Sequence, residues 1–143
     1  MAVILASAAG LGGAVQAAVM GELGERVGIV PALAFAVLVS LVCALTALVI
    51  WERSFTGVRA ALHEPAWLWL GGVMSVFIVF AITVGPPRIG VTATVAVVIA
   101  GNLVSAAVID RFGLFGVDRV ALTWTRVAGF VLLALGAALT LRR

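Results

Sequence analysis

Five long apolar runs alternate with short polar segments along the chain. Each run is close to the roughly 20 residues that a helix needs to cross a hydrocarbon core of about 30 Å. The runs cover residues 2–20, 31–50, 67–84, 90–109 and 123–141. Because helices satisfy their backbone hydrogen bonds internally, as lipid requires, the pattern predicts an all-α integral membrane fold. We expect five transmembrane helices in a single domain, residues 1–143.

Prolines, glycines and charges mark the connections between these runs. Pro31 suits the first turn of the second helix, and Pro86 and Pro87 are expected to stop the third. The polar segment 53–64 predicts a surface loop or a short surface helix, and the glycine-rich segment 112–116 predicts a piece at the membrane interface. Arg142 and Arg143 should form a basic stop after the fifth helix.

Composition excludes several classes of protein. Hydrophobic residues make up 64% of the chain, charged residues only 10%, and the mean hydropathy is +1.30, which leaves too few polar side chains to cover a water-soluble fold. The nine basic residues are scattered arginines that form no stripe along which a nucleic acid could lie, so their expected anionic partners are membrane lipids. No nucleophile beside a base, paired carboxylates or metal-ligand spacing occurs, so we expect neither an enzyme nor a cofactor.

Five spans would place the two ends of the chain on opposite sides of the membrane. Side A then carries the N-terminus and the loops 51–66 and 110–125, and side B carries the other loops and the C-terminus. Side A holds Arg53, Arg59, Arg111, Arg119 and Arg126, and side B holds Arg26, Arg88, Arg142 and Arg143. Since an excess of Arg and Lys sets orientation, five against four predicts dual topology. The alternative is one orientation with a cytoplasmic N-terminus.

The tryptophans are distributed unevenly between the two interfaces. Trp51, Trp67, Trp69 and Trp124 all fall at the side A ends of their predicted helices. An aromatic belt normally has members at both interfaces. An inverted second copy would supply the missing belt, which favours an antiparallel homodimer.

Two amide side chains lie near the middle of apolar runs, at Gln16 and Asn102. Because an amide in hydrocarbon normally faces a partner or a watery cavity, both are candidates for lining a substrate cavity. Ser75 and Ser105 are lower-ranked candidates for the same cavity. Alternatively, each amide forms a hydrogen bond across the helix bundle.

Small residues and helix-end carboxylates supply further candidates. Gly101, Gly129 and Gly136 could let another helix approach closely, either within the chain or in a dimer. Glu22 and Asp110 could titrate during a transport cycle, or they could simply be solvated charges at helix ends.

Five stretches of the chain resemble the small YdcZ-type branch of the drug/metabolite transporter superfamily. They are Val15-Gln16-Ala17 with Leu23-Gly24, Trp69-Leu70-Gly71-Gly72, Pro87-Arg88-Ile89-Gly90, Gly101-Asn102-Leu103, and Ile109-Asp110-Arg111-Phe112-Gly113-Leu114-Phe115-Gly116. The last stretch is the most specific. The chain has Met20, Asn102 and Arg111 where the family usually has Asn, Gln and His. The resemblance implies a five-helix half-unit that works as a pair of opposite orientation.

These observations predict a multi-pass protein of the cell (inner) membrane that transports a small molecule. We expect an exporter that works by alternating access as an antiparallel homodimer, with export favoured only by the family resemblance. Two alternatives remain, a passive channel or facilitator and a membrane assembly subunit that transports nothing.

Overall fold

The computed structural model describes residues 1–121 and 123–141, and these residues form helices joined by short connections. The α-helices are α1 (Ala2–Val27), α2 (Ile29–Trp51), α3 (Thr56–Ala61), α4 (Leu70–Ile89), α5 (Val91–Phe112) and α6 (Trp124–Thr140). Short 3-10 helices precede α4, at Ala66–Trp69, and follow α5, at Leu114–Gly116. The chain divides into two compact units, one of residues 1–18 and 85–143 and one of residues 19–84.

Among residues 1–121 and 123–141, four helical segments are long and apolar enough to cross a membrane. They are Ala2–Val27, Ile29–Trp51, Ala66–Ile89 and Val91–Phe112, whereas α6 is apolar but has only 17 residues. Large apolar side chains point outward along these helices, and α2 buries only Ala32 among its 23 residues. Exposure of so much apolar surface to water is unfavourable. In a bilayer the same side chains contact lipid, and the helices satisfy their own backbone hydrogen bonds. The chain is therefore an α-helical membrane protein.

Two glycines make the turns that join consecutive long helices, α1 to α2 and α4 to α5. Gly28 has φ 95° and ψ 153°, and Gly90 has φ 87° and ψ 158°. This region of backbone conformation is accessible essentially to glycine alone. Each glycine carbonyl then accepts the first backbone hydrogen bond of the next helix, from Ala32 and from Thr94, at 3.1 Å in both cases. The same local geometry thus builds both turns.

The prediction that Pro86 and Pro87 stop the third helix is wrong. Helix α4 continues through both prolines to Ile89, and the chain turns at Gly90. Both prolines lie close to the C-terminal end of α4. Each lacks its own backbone N–H, so the last part of the helix has two fewer hydrogen-bond donors. The carbonyl of Pro86 still accepts a hydrogen bond from the Gly90 N–H at 2.9 Å. The positive φ of Gly90 therefore ends the helix.

Helix α1 also runs further than the predicted residues 2–20. It continues to Val27, and Arg26 donates a hydrogen bond from Nε to Glu22 Oε1 at 2.7 Å. Such a pair four residues apart supports a helix at the level of a few tenths of a kcal/mol, about 0.2 to 0.5. The charges that end the apolar run therefore do not end the helix.

The two polar connections contain short helical pieces. Helix α3 lies within the segment 53–64, and the Trp69 indole N–H donates to the Ala61 carbonyl at 3.3 Å, which ties α3 to the start of α4. After α5, Gly113 adopts the left-handed conformation and caps the helix. The predicted basic stop, Arg142 and Arg143, lies outside the described residues.

Candidate functional site

Gln16 and Asn102 lie on the outside of the folded chain. Gln16 is in the middle of α1 and Asn102 in the middle of α5, and both side chains are exposed. At a rise of 1.5 Å per residue, each lies about 15 Å or more from both ends of its helix. Neither amide makes a hydrogen bond within residues 1–121 and 123–141. Both amides are thus exposed and lack a hydrogen-bond partner in the part of the chain that the structure describes.

The two candidate serines differ in their relation to these amides. Ser105 follows Asn102 by three residues on α5, so the two side chains lie on neighbouring positions of one helix face. Ser75 lies on α4 in the other unit. Both serines are exposed. Helix geometry therefore groups Asn102 with Ser105.

The two candidate carboxylates each have an arginine partner. Glu22 accepts the Arg26 Nε hydrogen bond within α1, and both side chains are exposed. Asp110, at the end of α5, lies 3.6 Å from Arg126 Nη1 at the start of α6. Each candidate carboxylate therefore forms an ion pair with an arginine.

The candidate packing glycines have open space beside them. A Cβ added to Gly101, Gly129 or Gly136 would meet no heavy atom of the described residues within 4 Å outside its own helix. Two other glycines behave differently, since a Cβ on Gly24 or Gly85 would collide with a threonine of the same compact unit. Packing within the described part of the unit thus leaves open space beside the three predicted packing glycines.

The aromatic residues fall where the sequence predicted them along the helices. Trp51 is the last residue of α2, Trp67 and Trp69 lie in the 3-10 helix before α4, and Trp124 is the first residue of α6. All four indoles are exposed, from 47% at Trp67 to 88% at Trp124. Exposed tryptophans at helix ends are typical of the membrane–water interface.

A feature that the sequence reasoning missed lies beside the junction of α5 and α6. An open cavity of about 430 Å³ there is lined by Arg111, Phe112, Arg119, Val120 and Ala121. The segment 109–116, which carries the most specific part of the family resemblance, contributes Arg111 and Phe112 to this cavity. The sequence predicted only that residues 112–116 lie at the membrane interface.

Comparison with known proteins supports a helical membrane protein. The family model described as "Putative inner membrane exporter, YdcZ" matches residues 1–139. Inner membrane protein YdcZ of Escherichia coli (strain K12) is 35% identical over 77 residues, which are 54% of this chain and 51% of that protein. The chain thus aligns with about half the length of this curated relative. No solved structure matches the chain.

The family match covers almost the whole chain, and it coincides with the four helices that are long and apolar enough to cross a membrane. The E. coli relative is itself named as an inner membrane protein. This chain therefore belongs to the YdcZ family of helical inner membrane proteins.

Proposed function

We propose that this protein is a small-molecule transporter that exports its substrate by alternating access as an antiparallel homodimer. The family description names an inner membrane exporter, which supports transport and its direction. The structural support comes from polar groups, open helix faces and the distribution of charge and tryptophan.

The observation that carries the proposal is the exposure of Gln16 and Asn102 near the middle of membrane-spanning helices. An amide that faces hydrocarbon without a hydrogen-bond partner costs on the order of 1 to 3 kcal/mol by protein mutational data. Neither amide has such a partner within the described part of the chain. A second copy that turns its own amides to the same cavity, with water and substrate between them, removes this cost.

The near balance of arginines that allows inverted pairing also requires α6 to cross the membrane as a fifth span. Its 17 residues give a length of about 25 Å, at the lower limit for a spanning helix. With five spans, two parallel copies would put every tryptophan of the belt at one interface. Two inverted copies place tryptophans at both interfaces, which is the usual arrangement.

The open faces at Gly101, Gly129 and Gly136 suit the contact between the copies. Helices in lipid associate by close approach of backbones at small residues. These glycines have room beside them on the folded chain, so another helix can come close there. In the proposed dimer, inverted copies supply the inverted repeats that many transporters contain within one chain, and rocking of one copy against the other exposes the cavity to each side in turn.

A transport assay with matched variants tests this function. We expect purified protein in proteoliposomes to move at least one member of a panel of fluorescent amphipathic compounds and small metabolites against its gradient. Gln16→Ala and Asn102→Ala should each reduce that flux at least about tenfold, because a lost polar contact to substrate is worth one to a few kcal/mol. Ser40→Ala, which changes an exposed polar residue of α2 outside the proposed cavity, is the matched control.

Three results would contradict the proposal. Equal flux in the Gln16→Ala and Asn102→Ala variants and the Ser40→Ala control would remove the amides from the cavity. Flux that stops at equal concentrations would indicate a facilitator. A stable complex with a different membrane protein, and no flux of any compound, would indicate an assembly subunit.

A further inference from the structure

The segment after α5 folds back onto the end of that helix. Gly113 has φ 64° and its N–H donates to the Ile109 carbonyl, which closes the helix. The Val120 N–H then donates to the Asp110 carbonyl at 2.9 Å. This hydrogen bond returns the chain to α5 and brings residue 119 beside residue 111.

The side chain of Arg119 occupies space that is free because residue 113 is a glycine and has no Cβ. A Cβ on Gly113 would lie 2.7 Å from Arg119 Cγ and 3.3 Å from Arg119 Nε. The Arg119 side chain therefore lies directly across the glycine that caps α5. As a result Arg119 and Arg111 line the same open cavity of about 430 Å³.

This cavity carries positive charge without a matching carboxylate. Asp110 is next in sequence to Arg111, but its carboxylate lies beside Arg126 at 3.6 Å. Neither Arg111 nor Arg119 forms an ion pair with any residue of 1–121 or 123–141, Asp118 included. Two guanidinium groups at one cavity form a site for an oxyanion, because their planar forks match the oxygens of phosphate.

An apolar groove continues from this charged cavity along α5 and α6. It measures about 240 Å³, and its lining includes Val104, Val108, Val127 and Phe130 together with Arg111 and Phe112, which also line the charged cavity. A ligand that fills both spaces has a phosphate at one end and a hydrocarbon chain at the other. Phospholipids have this construction.

We propose that Arg111 and Arg119 bind the phosphate of an anionic phospholipid, whose acyl chain lies in the groove between α5 and α6. The cavity lining has two cations and no acidic side chain to bind an ammonium group, so it favours a headgroup with net negative charge over a zwitterionic one. This inference concerns a structural lipid site and does not depend on transport.

Native mass spectrometry of the purified protein with phosphatidylglycerol or phosphatidylethanolamine tests the site. We expect phosphatidylglycerol to bind more tightly, and Arg111→Gln/Arg119→Gln to weaken its binding at least about tenfold, the effect of losing one charge-assisted contact. The matched control is Arg53→Gln/Arg59→Gln, which removes two exposed arginines that line neither the charged cavity nor the groove. Phosphatidylethanolamine binding should be nearly the same in all three proteins.

A second variant separates a lipid from a free phosphate. Val104→Trp should fill the exposed groove and weaken phosphatidylglycerol binding while both arginines remain, and inorganic phosphate at millimolar concentration should not displace the lipid. The proposal is overturned if the wild type does not prefer phosphatidylglycerol, or if the control variant loses as much binding as Arg111→Gln/Arg119→Gln. Displacement by inorganic phosphate, with no effect of Val104→Trp, would overturn the lipid as occupant. Should the double arginine variant not fold, Arg119→Gln and Val104→Trp decide the question alone.

Discussion

At the scale of single residues, two threonines fix where helices of the same unit touch. Thr83 donates its hydroxyl to the Val79 carbonyl at 2.7 Å, and Thr94 donates to the Gly90 carbonyl at 2.8 Å. Each hydroxyl is thereby satisfied on its own helix. The rest of the side chain faces a glycine, Gly24 for Thr83 and Gly85 for Thr94. These contacts pack tightly without leaving a buried polar atom unpaired.

Gly24→Ala should lower the free energy of unfolding by about 1 to 3 kcal/mol, the usual effect of overpacking a tight site. The added methyl would lie 2.8 Å from Thr83 Cγ2, and Thr83 is only 1% exposed, so it has little room to move. Gly72→Ala in α4 is the matched control, because its Cβ would meet open space. Reversible unfolding in mixed micelles measures the difference.

Thr83→Ser provides the complementary test of this contact. It removes Cγ2 and keeps the hydroxyl that bonds to Val79, and the nearest remaining atom to the new methyl is then the Thr83 carbonyl oxygen at 3.6 Å. The double variant Gly24→Ala/Thr83→Ser should therefore be more stable than Gly24→Ala alone. Equal effects of Gly24→Ala and Gly72→Ala would show that the glycine is not required for close packing.

The sequence could identify small residues suited to close packing, but it could not assign their partners. Gly101 was predicted to pack against another helix, but the structure leaves open space beside that glycine. Gly24 and Gly85 were not among the predicted packing glycines, yet they meet Thr83 and Thr94. Periodicity reports which residues share a face of one helix, whereas packing depends on what the neighbouring helix presents to that face.

At the scale of helices, the thickness of the bilayer makes the apolar spans predictable. The residues at which the helices end depend on local interactions and are harder to predict. The length of each apolar run follows from the distance it must cross, so the four long spans could be located from hydropathy. Their ends depend on details such as the Arg26–Glu22 pair, which continues α1, and the conformation of Gly90, which ends α4 after two prolines. The fold-back of Val120 onto Asp110 is a tertiary hydrogen bond with no periodic signal in the sequence.

We predict that α6 spans the membrane despite its 17 residues. A short span is accommodated by local thinning of the bilayer at modest cost. Single cysteines placed through α6 in a Cys43→Ala background should show a central block, near residues 128–136, that an impermeant maleimide does not label on any face. This pattern does not depend on which way the chain inserts.

Cysteines placed through α3 are the control for this measurement. Helix α3 spans only Thr56–Ala61 and every residue in it is exposed, so we expect labelling there without a protected block. If α6 were labelled at every third or fourth residue along its whole length, it would lie on the membrane surface. The chain would then have four spans and its C-terminus would lie on side A. The arginines would number seven on side A and two on side B, so the argument for dual insertion from their near balance would fail.

At the scale of the whole molecule, the two sides of the membrane carry nearly equal numbers of arginines, and this bears on the direction in which the chain inserts. With five spans, side A has five arginines and side B has four. The positive-inside rule counts Lys and Arg in short loops and gives little weight to acidic residues. We therefore predict that the chain inserts both ways, which would allow the proposed inverted pair to assemble from copies of one chain.

Removing one arginine from either side should shift the orientation in opposite directions. Arg59→Gln leaves four arginines on each side and should move the C-terminus toward the cytoplasm, while Arg88→Gln leaves five against three and should move it outward. Both are exposed, and neither pairs with a carboxylate among the described residues, so each change acts mainly through charge. C-terminal fusions to a fluorescent protein active only inside and a phosphatase active only outside report the two populations. The wild type should give both signals, and the two variants should shift the ratio of the signals in opposite directions. A one-sided signal that neither variant alters would exclude dual insertion. It would also exclude the homodimer of inverted copies.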